Sequence, residues 1–325
     1  MAIFFLIVAV TSVALAFATR LGANRIAARY PAEGVMQPTS SLPLHLVQWG
    51  SADPSLASLI FIHGASSNHR EFMIALGKQL QSKRGGPGHC IFVDRPGQGH
   101  SARASGDHSP RVQADRIVDA AKRLGVKRAV IVGHSWGTAV TAQIAVHHPG
   151  FCYGALFVAP ATHPWVGGGW GGVTWYYGVA CLPVIGFLFT RLISLPVGWF
   201  QIDSGVENVF APEAPKPGYP KRLGARLVLR PRAFTANAED VFRLRPFVRR
   251  EALSYSRITC PVHILTGDED GVVWPHVHSD GLERDIEGAQ KHVLPGAGHM
   301  PHHTHPDKTL ELIDDLLMRA KVTRR

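Results

Sequence analysis

The chain has 325 residues, of which 46% are hydrophobic and 18% charged; this is apolar enough to bury a sizeable core and excludes a disordered or low-complexity protein. A formal charge of +10 and a pI near 9.8 point to anionic surfaces or ligands, but no nucleic-acid motif accompanies the charge, so nucleic acid is not an expected partner. Cys90, Cys152, Cys181 and Cys260 have neither C-x-x-C nor zinc-finger spacing and read as buried free thiols.

Residues 2–18 are apolar except for Thr11 and Ser12. That length falls between a signal-peptide core of ~7–15 residues and a membrane span of ~17–25. Two A-x-A sites are present, at 14–16 and 16–18, but no basic region precedes the run, so residues 1–20 are expected to be an uncleaved anchor. Arg20, Arg25 and Arg29 follow it, and the positive-inside tendency then places the rest of the chain on the cytoplasmic side; the alternative is signal cleavage and a periplasmic or secreted protein. Residues 21–42, with Pro31 and Pro38, read as a linker.

Strand-like structure begins at 44–49 and recurs near 58–63, 90–94, 128–133 and 154–159. Helical patterns lie between, notably at 112–124 and 136–148, as in βα units on a parallel sheet. The alternation stops over 161–257, where a glycine-rich run at 167–172 is followed by an apolar stretch to Phe200 and then a proline-rich, basic segment. Pro183, Gly186 and Pro196 argue against a clean spanning helix there and favour a pair of helices resting on a membrane. In the basic segment Lys221, Arg222, Arg226, Arg230, Arg232, Arg243, Arg245, Arg249 and Arg250 face only Glu239 and Asp240, as a solvated or lipid-facing surface would.

Gly133-His134-Ser135-Trp136-Gly137 sits between the apolar run 128–132 and the helix-like run 138–145. This is G-x-S-x-G in strand–turn–helix context, with glycines where a sharp turn needs residues lacking Cβ. Gly267-Asp268-Glu269-Asp270 follows a second apolar run, and Gly296-Ala297-Gly298-His299 a third. Upstream lie His63-Gly64-Ala65, after an early strand, and Asp94-Arg95-Pro96-Gly97-Gln98-Gly99-His100-Ser101.

In this order the landmarks resemble the α/β-hydrolase superfamily, in its serine-nucleophile, esterase-like branch, over about residues 43–320. The resemblance implies an α/β-hydrolase fold: a mostly parallel sheet flanked by helices, formed by 43–160 and 258–325, with a mainly helical cap inserted at 161–257. It implies Ser135 as nucleophile, His299 as base and Asp270 as the acid that orients it, with Asp268 the rival for that place. Backbone N–H groups of Ala65 and Trp136 would hold the oxyanion.

The expected reaction is cleavage of a carboxylic ester, with a lipophilic acyl group, through an acyl-serine intermediate and without a cofactor. Carbon–carbon hydrolysis, lactone hydrolysis and perhydrolysis share the triad, and a non-catalytic ligand-binding member of the fold is the alternative of another class. Expected partners are therefore a small apolar acyl substrate and a membrane. His63, Trp165, Trp175 and Tyr176 are candidates to line the substrate pocket. Asp94, Arg95 and Ser101 are expected to fix a tight turn, and His63 and His134 to shape loops. His302, His303 and His305 invite a metal reading, but no acid or cysteine is interleaved with them to complete a site, so no metal is expected.

Overall fold

Alternation along the central strands sets the architecture: Ile60 and Ile62 point to one side of the sheet while Leu59 and Phe61 point to the other, and all four are buried. Strands buried on both faces read as continuous apolar runs, which requires helices above and below. The computed structural model describes residues 1–82, 88–165 and 175–322; the glycine-rich run, with Trp170, lies outside the described residues.

The eight strands are β1 (Val35–Gln37), β2 (Leu44–Trp49), β3 (Ser58–Ile62), β4 (Cys90–Val93), β5 (Ala129–His134), β6 (Cys152–Val158), β7 (Val262–Gly267) and β8 (Gln290–Leu294), in sheet order β1-β2-β4-β3-β5-β6-β7-β8. β1 and β2 run antiparallel at one edge, and every pairing from β4 onward is parallel. The helices before the last strand pair are α1 (Ala2–Arg29), α2 (Arg70–Ser82), α3 (Pro110–Arg123), α4 (Gly137–His147), α5 (Trp175–Ala180), α6 (Pro183–Leu192), α7 (Ser194–Phe210), α8 (Tyr219–Leu223) and α9 (Pro231–Glu251). Three more follow: α10 (Pro275–Asp285), α11 (Pro301–Thr304) and α12 (Pro306–Val322).

One face of the sheet packs Ile60, Ile62, Ile131, Phe157 and Ile264 against α3, α4 and α10. The other packs Leu59, Phe61, Val130, Val132 and Leu265 against Phe72 and Leu76 of α2 and Ile313 and Leu316 of α12. Crossovers on both faces direct the C-terminal ends of the parallel strands to a common edge, which is where ligands bind in open α/β sheets. Helices α5 to α9, with a 3-10 turn at Ala225–Leu229, are inserted between β6 and β7.

Two stretches depart from the sequence expectation. The helix that starts at Ala2 does not give way to a linker at 21 but continues to Arg29, because Ile26 finds partners in Leu195, Leu227 and Leu229 of the insertion. Residues 35–37 form the edge strand, anchored where the Gly34 N–H donates to His45 Nε2 (3.1 Å). The first turns of α1 expose Ile3, Phe4, Phe5, Leu6 and Ile7, and α1 is the one described helix long and apolar enough to cross a membrane by itself. α6 and α7 meet at 66°, a sharp break at Ile193 with Pro196 in the first turn of α7.

Candidate active site

Ser135 lies on the turn between β5 and α4 with φ +50, a left-handed conformation that costs a side-chain-bearing residue of order 1–3 kcal/mol and must be held by its surroundings. Its N–H donates to Val158 O (2.9 Å) and its carbonyl accepts from Thr138 N (2.9 Å). The flanking glycines admit close neighbours: a Cβ on Gly133 would overlap Thr141 Oγ1, and one on Gly137 would overlap the carbonyl oxygens of Ile62 and His63. The strained serine is therefore packed in from both sides.

Ser135 Oγ is 2.9 Å from His299 Nε2, and His299 Nδ1 is 2.8 Å from Asp270 Oδ2. The other carboxylate oxygen of Asp270 accepts the N–H groups of Val272 (2.9 Å) and Val273 (3.0 Å). Burial pushes the Asp270 carboxyl up, but the neighbouring His299 and the two backbone donors outweigh it and hold it below the usual carboxylate range. Asp268, two residues earlier, turns away and accepts the Gly296 N–H (2.7 Å) instead. The three strand ends thus bring serine, histidine and Asp270 into one hydrogen-bonded chain.

The loop after β3 closes over the serine. A Cβ on Gly64 would sit 3.1 Å from Ser135 Cβ and 3.0 Å from His134 Nδ1, so the Gly64–Ala65 backbone runs against the β5–α4 turn. His63 shapes this loop from inside: its Nε2 accepts the Arg95 N–H (3.1 Å) and its Nδ1 donates to Gly64 O (2.8 Å). With both nitrogens committed and burial pulling its pKa to about 4, it is a neutral part of the loop, not a wall of the pocket. Arg95 donates to the carbonyls of His63 and Gly64 (3.0 Å each) and stacks over Trp136 at 4.1 Å.

The turn carrying Arg95 is held by Asp94. Its carboxylate accepts from His45 Nδ1 (2.7 Å), His69 Nδ1 (3.0 Å) and the N–H groups of His69 and His100. Gly99, at φ +49, leaves room that a Cβ would take from that carboxylate. Burial raises the Asp94 carboxyl, yet the facing histidines hold it well below its ordinary value.

The insertion is fastened to these loops by residues that sequence reasoning did not single out for the site. Asn237 Oδ1 accepts the Ser66 N–H (2.6 Å) while its Nδ2 donates to Ser66 Oγ (3.0 Å). Asp240 accepts from Arg95 (2.6 Å) and Arg103 (3.0 Å), and its carbonyl accepts the Trp136 indole N–H (2.9 Å). The signal was there: Glu239 and Asp240 are the only acids in a basic stretch, and both pair with arginines outside it. Among the aromatic pocket candidates, Trp165 is half-buried, with its ring 5.8 Å from that of His278, and Trp175 is mostly exposed. Tyr176 packs its ring at a tilt against Tyr177 (4.3 Å), and it is Tyr177 whose hydroxyl reaches Ser66 Oγ (3.5 Å).

Two groups bring potential metal-ligand atoms within 4.8 Å of one another: His45, His69 and Asp94, and Glu71, His134 and His302. In the first, His45 is already spent on Gly34 and Asp94. In the second, the fold supplies the acid that the sequence around His302 lacks, with Glu71 Oε1 3.5 Å from His302 Nε2.

A parallel α/β sheet with a strained serine after its central strand, and a histidine and an aspartate at the ends of later strands, defines a class of hydrolytic folds. The chain belongs to the alpha/beta hydrolase family, whose model matches residues 59–312, and it is a hydrolase. An uncharacterized protein of Mycobacterium tuberculosis is 25% identical over 276 residues, 79% of this chain and 74% of its own. An esterase from Thermogutta terrifontis superposes with a TM-score of 0.66 at 17% identity, covering 89% of this chain and all of its own. A membrane phospholipase A superposes with a TM-score of 0.65 at 20% identity over 99% of each chain, the N-terminal helix included.

Proposed function

We propose that this hydrolase cleaves carboxylic esters by a Ser135–His299–Asp270 triad. The hydrogen-bonded chain from Ser135 Oγ through His299 to Asp270 is the observation that carries the reading. As Ser135 Oγ attacks the ester carbonyl, its proton passes to His299 Nε2, and Asp270 stays ionised to stabilise the imidazolium. The carbonyl oxygen takes the negative charge and accepts the N–H groups of Ala65 and Trp136. The carbon–oxygen bond then breaks, the alcohol leaves with the proton from His299, and water releases the acid by the same steps in reverse roles.

A lipophilic acyl chain fits the insertion, which serves as the cap: Val184, Ile185, Phe187 and Leu188 of α6 and Phe200 of α7 are exposed, and α6 packs beside α1. Exposed apolar residues of this kind rest on a bilayer with α1 inserted as anchor, and the likeness over 99% of each chain to a protein described as a membrane phospholipase A supports a membrane location. The Arg20, Arg25 and Arg29 flank then keeps the enzyme on the cytoplasmic side.

The test is hydrolysis of p-nitrophenyl esters from acetate to long chains by the full-length protein in detergent, beside Ser135→Ala. Turnover should rise beyond acetate, and the variant should lose it by up to ~10⁶. Activity confined to acetate removes the lipophilic substrate, and activity surviving in Ser135→Ala removes the triad. Lactones are the second substrate class to assay, because structures of an N-acyl homoserine lactone degrading enzyme and an enol-lactonase from Burkholderia xenovorans also superpose, at TM-scores of 0.58 and 0.63.

A further inference from the structure

Directly behind the serine and histidine lies a second buried cluster drawn from three elements: Glu71 in the first turn of α2, His134 at the end of β5 and His302 on α11. His134 is at its centre. Its Nε2 is 3.0 Å from the carbonyl oxygen of His299, and its Nδ1 is 2.9 Å from Glu71 Oε1. A carbonyl oxygen can only accept, so Nε2 carries a proton. Burial drives the Glu71 carboxyl up, but the facing His134 and His302 overcome this and hold it well below the carboxylate range. An ionised carboxylate also only accepts, so Nδ1 carries a proton as well.

His134 thus sets one ring nitrogen against a buried carboxylate and the other against a carbonyl oxygen, its ring centroid 4.9 Å from that of His299. The other groups around it do not supply the counter-charge. The His302 ring lies tilted against it at 4.4 Å, and its pKa is drawn to about 4 by burial, so it is neutral. His303 is likewise pushed down by burial, and Tyr219, whose hydroxyl meets His303 at 3.2 Å, is held protonated by burial.

We propose that Glu71 and His134 are positioning residues for the hydrolytic site: Glu71 keeps both nitrogens of His134 protonated, and His134 fixes the backbone of the base. His134 adjoins Ser135 in the chain and holds His299 through space, so one ring sets the spacing of two reacting groups that are 164 residues apart. The need for such a tie is visible in the loop, where Gly296 (φ +69) and Gly298 flank the approach to His299. A neutral His134 could donate to only one of its two acceptors and would release either Glu71 or His299. The inference rests on the reading of Ser135 and His299 as nucleophile and base.

The test uses the full-length protein in detergent, with Glu71→Gln and Glu71→Asp, and three measurements. Nitrogen-15 spectra of histidine-labelled protein at neutral pH should show one ring with two slowly exchanging N–H groups, absent from Glu71→Gln and present in Glu71→Asp. Labelling of Ser135 by a fluorophosphonate should slow by roughly ten- to a hundredfold in Glu71→Gln and recover in Glu71→Asp, with melting temperature recorded for each. Elemental analysis should find no stoichiometric metal.

A missing imidazolium signal in the wild type overturns the proposal whether or not Glu71→Gln folds. So does a Glu71→Gln protein that labels at the wild-type rate, or a zinc ion standing where the Nδ1 proton is placed. Wild-type protein that is folded but never labels overturns the reading of Ser135 itself, and this inference with it.

Discussion

Asp270 receives three hydrogen bonds, from His299 Nδ1 and from the N–H groups of Val272 and Val273, whereas Asp268 receives one at an exposed turn. On the proposed mechanism, Asp270→Asn leaves His299 without the acceptor that selects its tautomer, and turnover should fall by ~10⁴. Asp268→Ala should leave turnover within a few-fold; if it proves the more damaging change in a folded protein, the acid has been misassigned. Gly64→Ala offers an independent probe, because its methyl group would press on Ser135 Cβ and His134 Nδ1 at about 3 Å. Ester turnover should drop with little change in melting temperature, and an unaffected rate would mean that this loop does not hold the oxyanion. At this scale a candidate was legible wherever a residue sits inside a strand-end motif, as Ser135, Asp270 and His299 do. Glu71 was not, since an acid in the first turn of an amphipathic helix looks like ordinary dipole compensation until the fold sets it against His134.

Among the elements, α9 has the closest hold on the site, through Asn237 on Ser66 and Asp240 on Arg95, Arg103 and the Trp136 indole. Arg95 and Asp240 are both fully buried, so removing the carboxylate strands a buried guanidinium. Asp240→Ala should therefore cost about 3–5 kcal/mol in urea unfolding. Asn237→Ala forfeits two hydrogen bonds at the half-buried Ser66 and should cost only about 1–2 kcal/mol while loosening the loop beside the serine. Equal losses for the two would contradict the view that Asp240 is the structural bolt. The strands, and helices α3 and α4, were legible because doubly covered strands are apolar runs, α3 keeps a 3.6-residue pattern, and α4, buried all round, is an apolar run rich in helix-forming alanine directly after the Gly137 turn. The insertion was legible only as a break in that alternation. Pro183 and Pro196 fall in the first turns of α6 and α7, so the apolar stretch is divided between two helices, and the pairing of Arg95 with Asp240 spans 145 residues that no local pattern connects. The true end of α1 was hidden for a similar reason, since a helix that leaves its apolar stretch persists only because Ile26 docks on the insertion.

For the whole molecule, eighteen histidines make acid the informative variable, and burial decides what they do. His63, His278 and His302 are each pulled from 6.5 to about 4 by burial, reinforced by Arg95, His163 and His134 respectively. Geometry agrees for His278, whose Nδ1 accepts the N–H groups of Thr162 (3.2 Å) and His163 (3.1 Å) and so carries no proton. Because the folded values lie below the unfolded one, the unfolded chain binds more protons between pH 6.5 and 4, so these groups leave stability intact above 6.5 and erode it as the pH falls through that window. Asp94, Glu71 and Asp270 act in a lower window: their folded values lie beneath those of free carboxyls, and their contribution is lost only as the pH drops below about 4. Acid unfolding should therefore come in two stages, with the urea midpoint already declining between pH 7 and 5. Each shifted histidine can contribute at most about 1.4 kcal/mol per pH unit to that first slope. A midpoint that stays level to pH 5 and breaks only below 4 would mean that the histidines take up protons in the fold as readily as in solution, contrary to their burial.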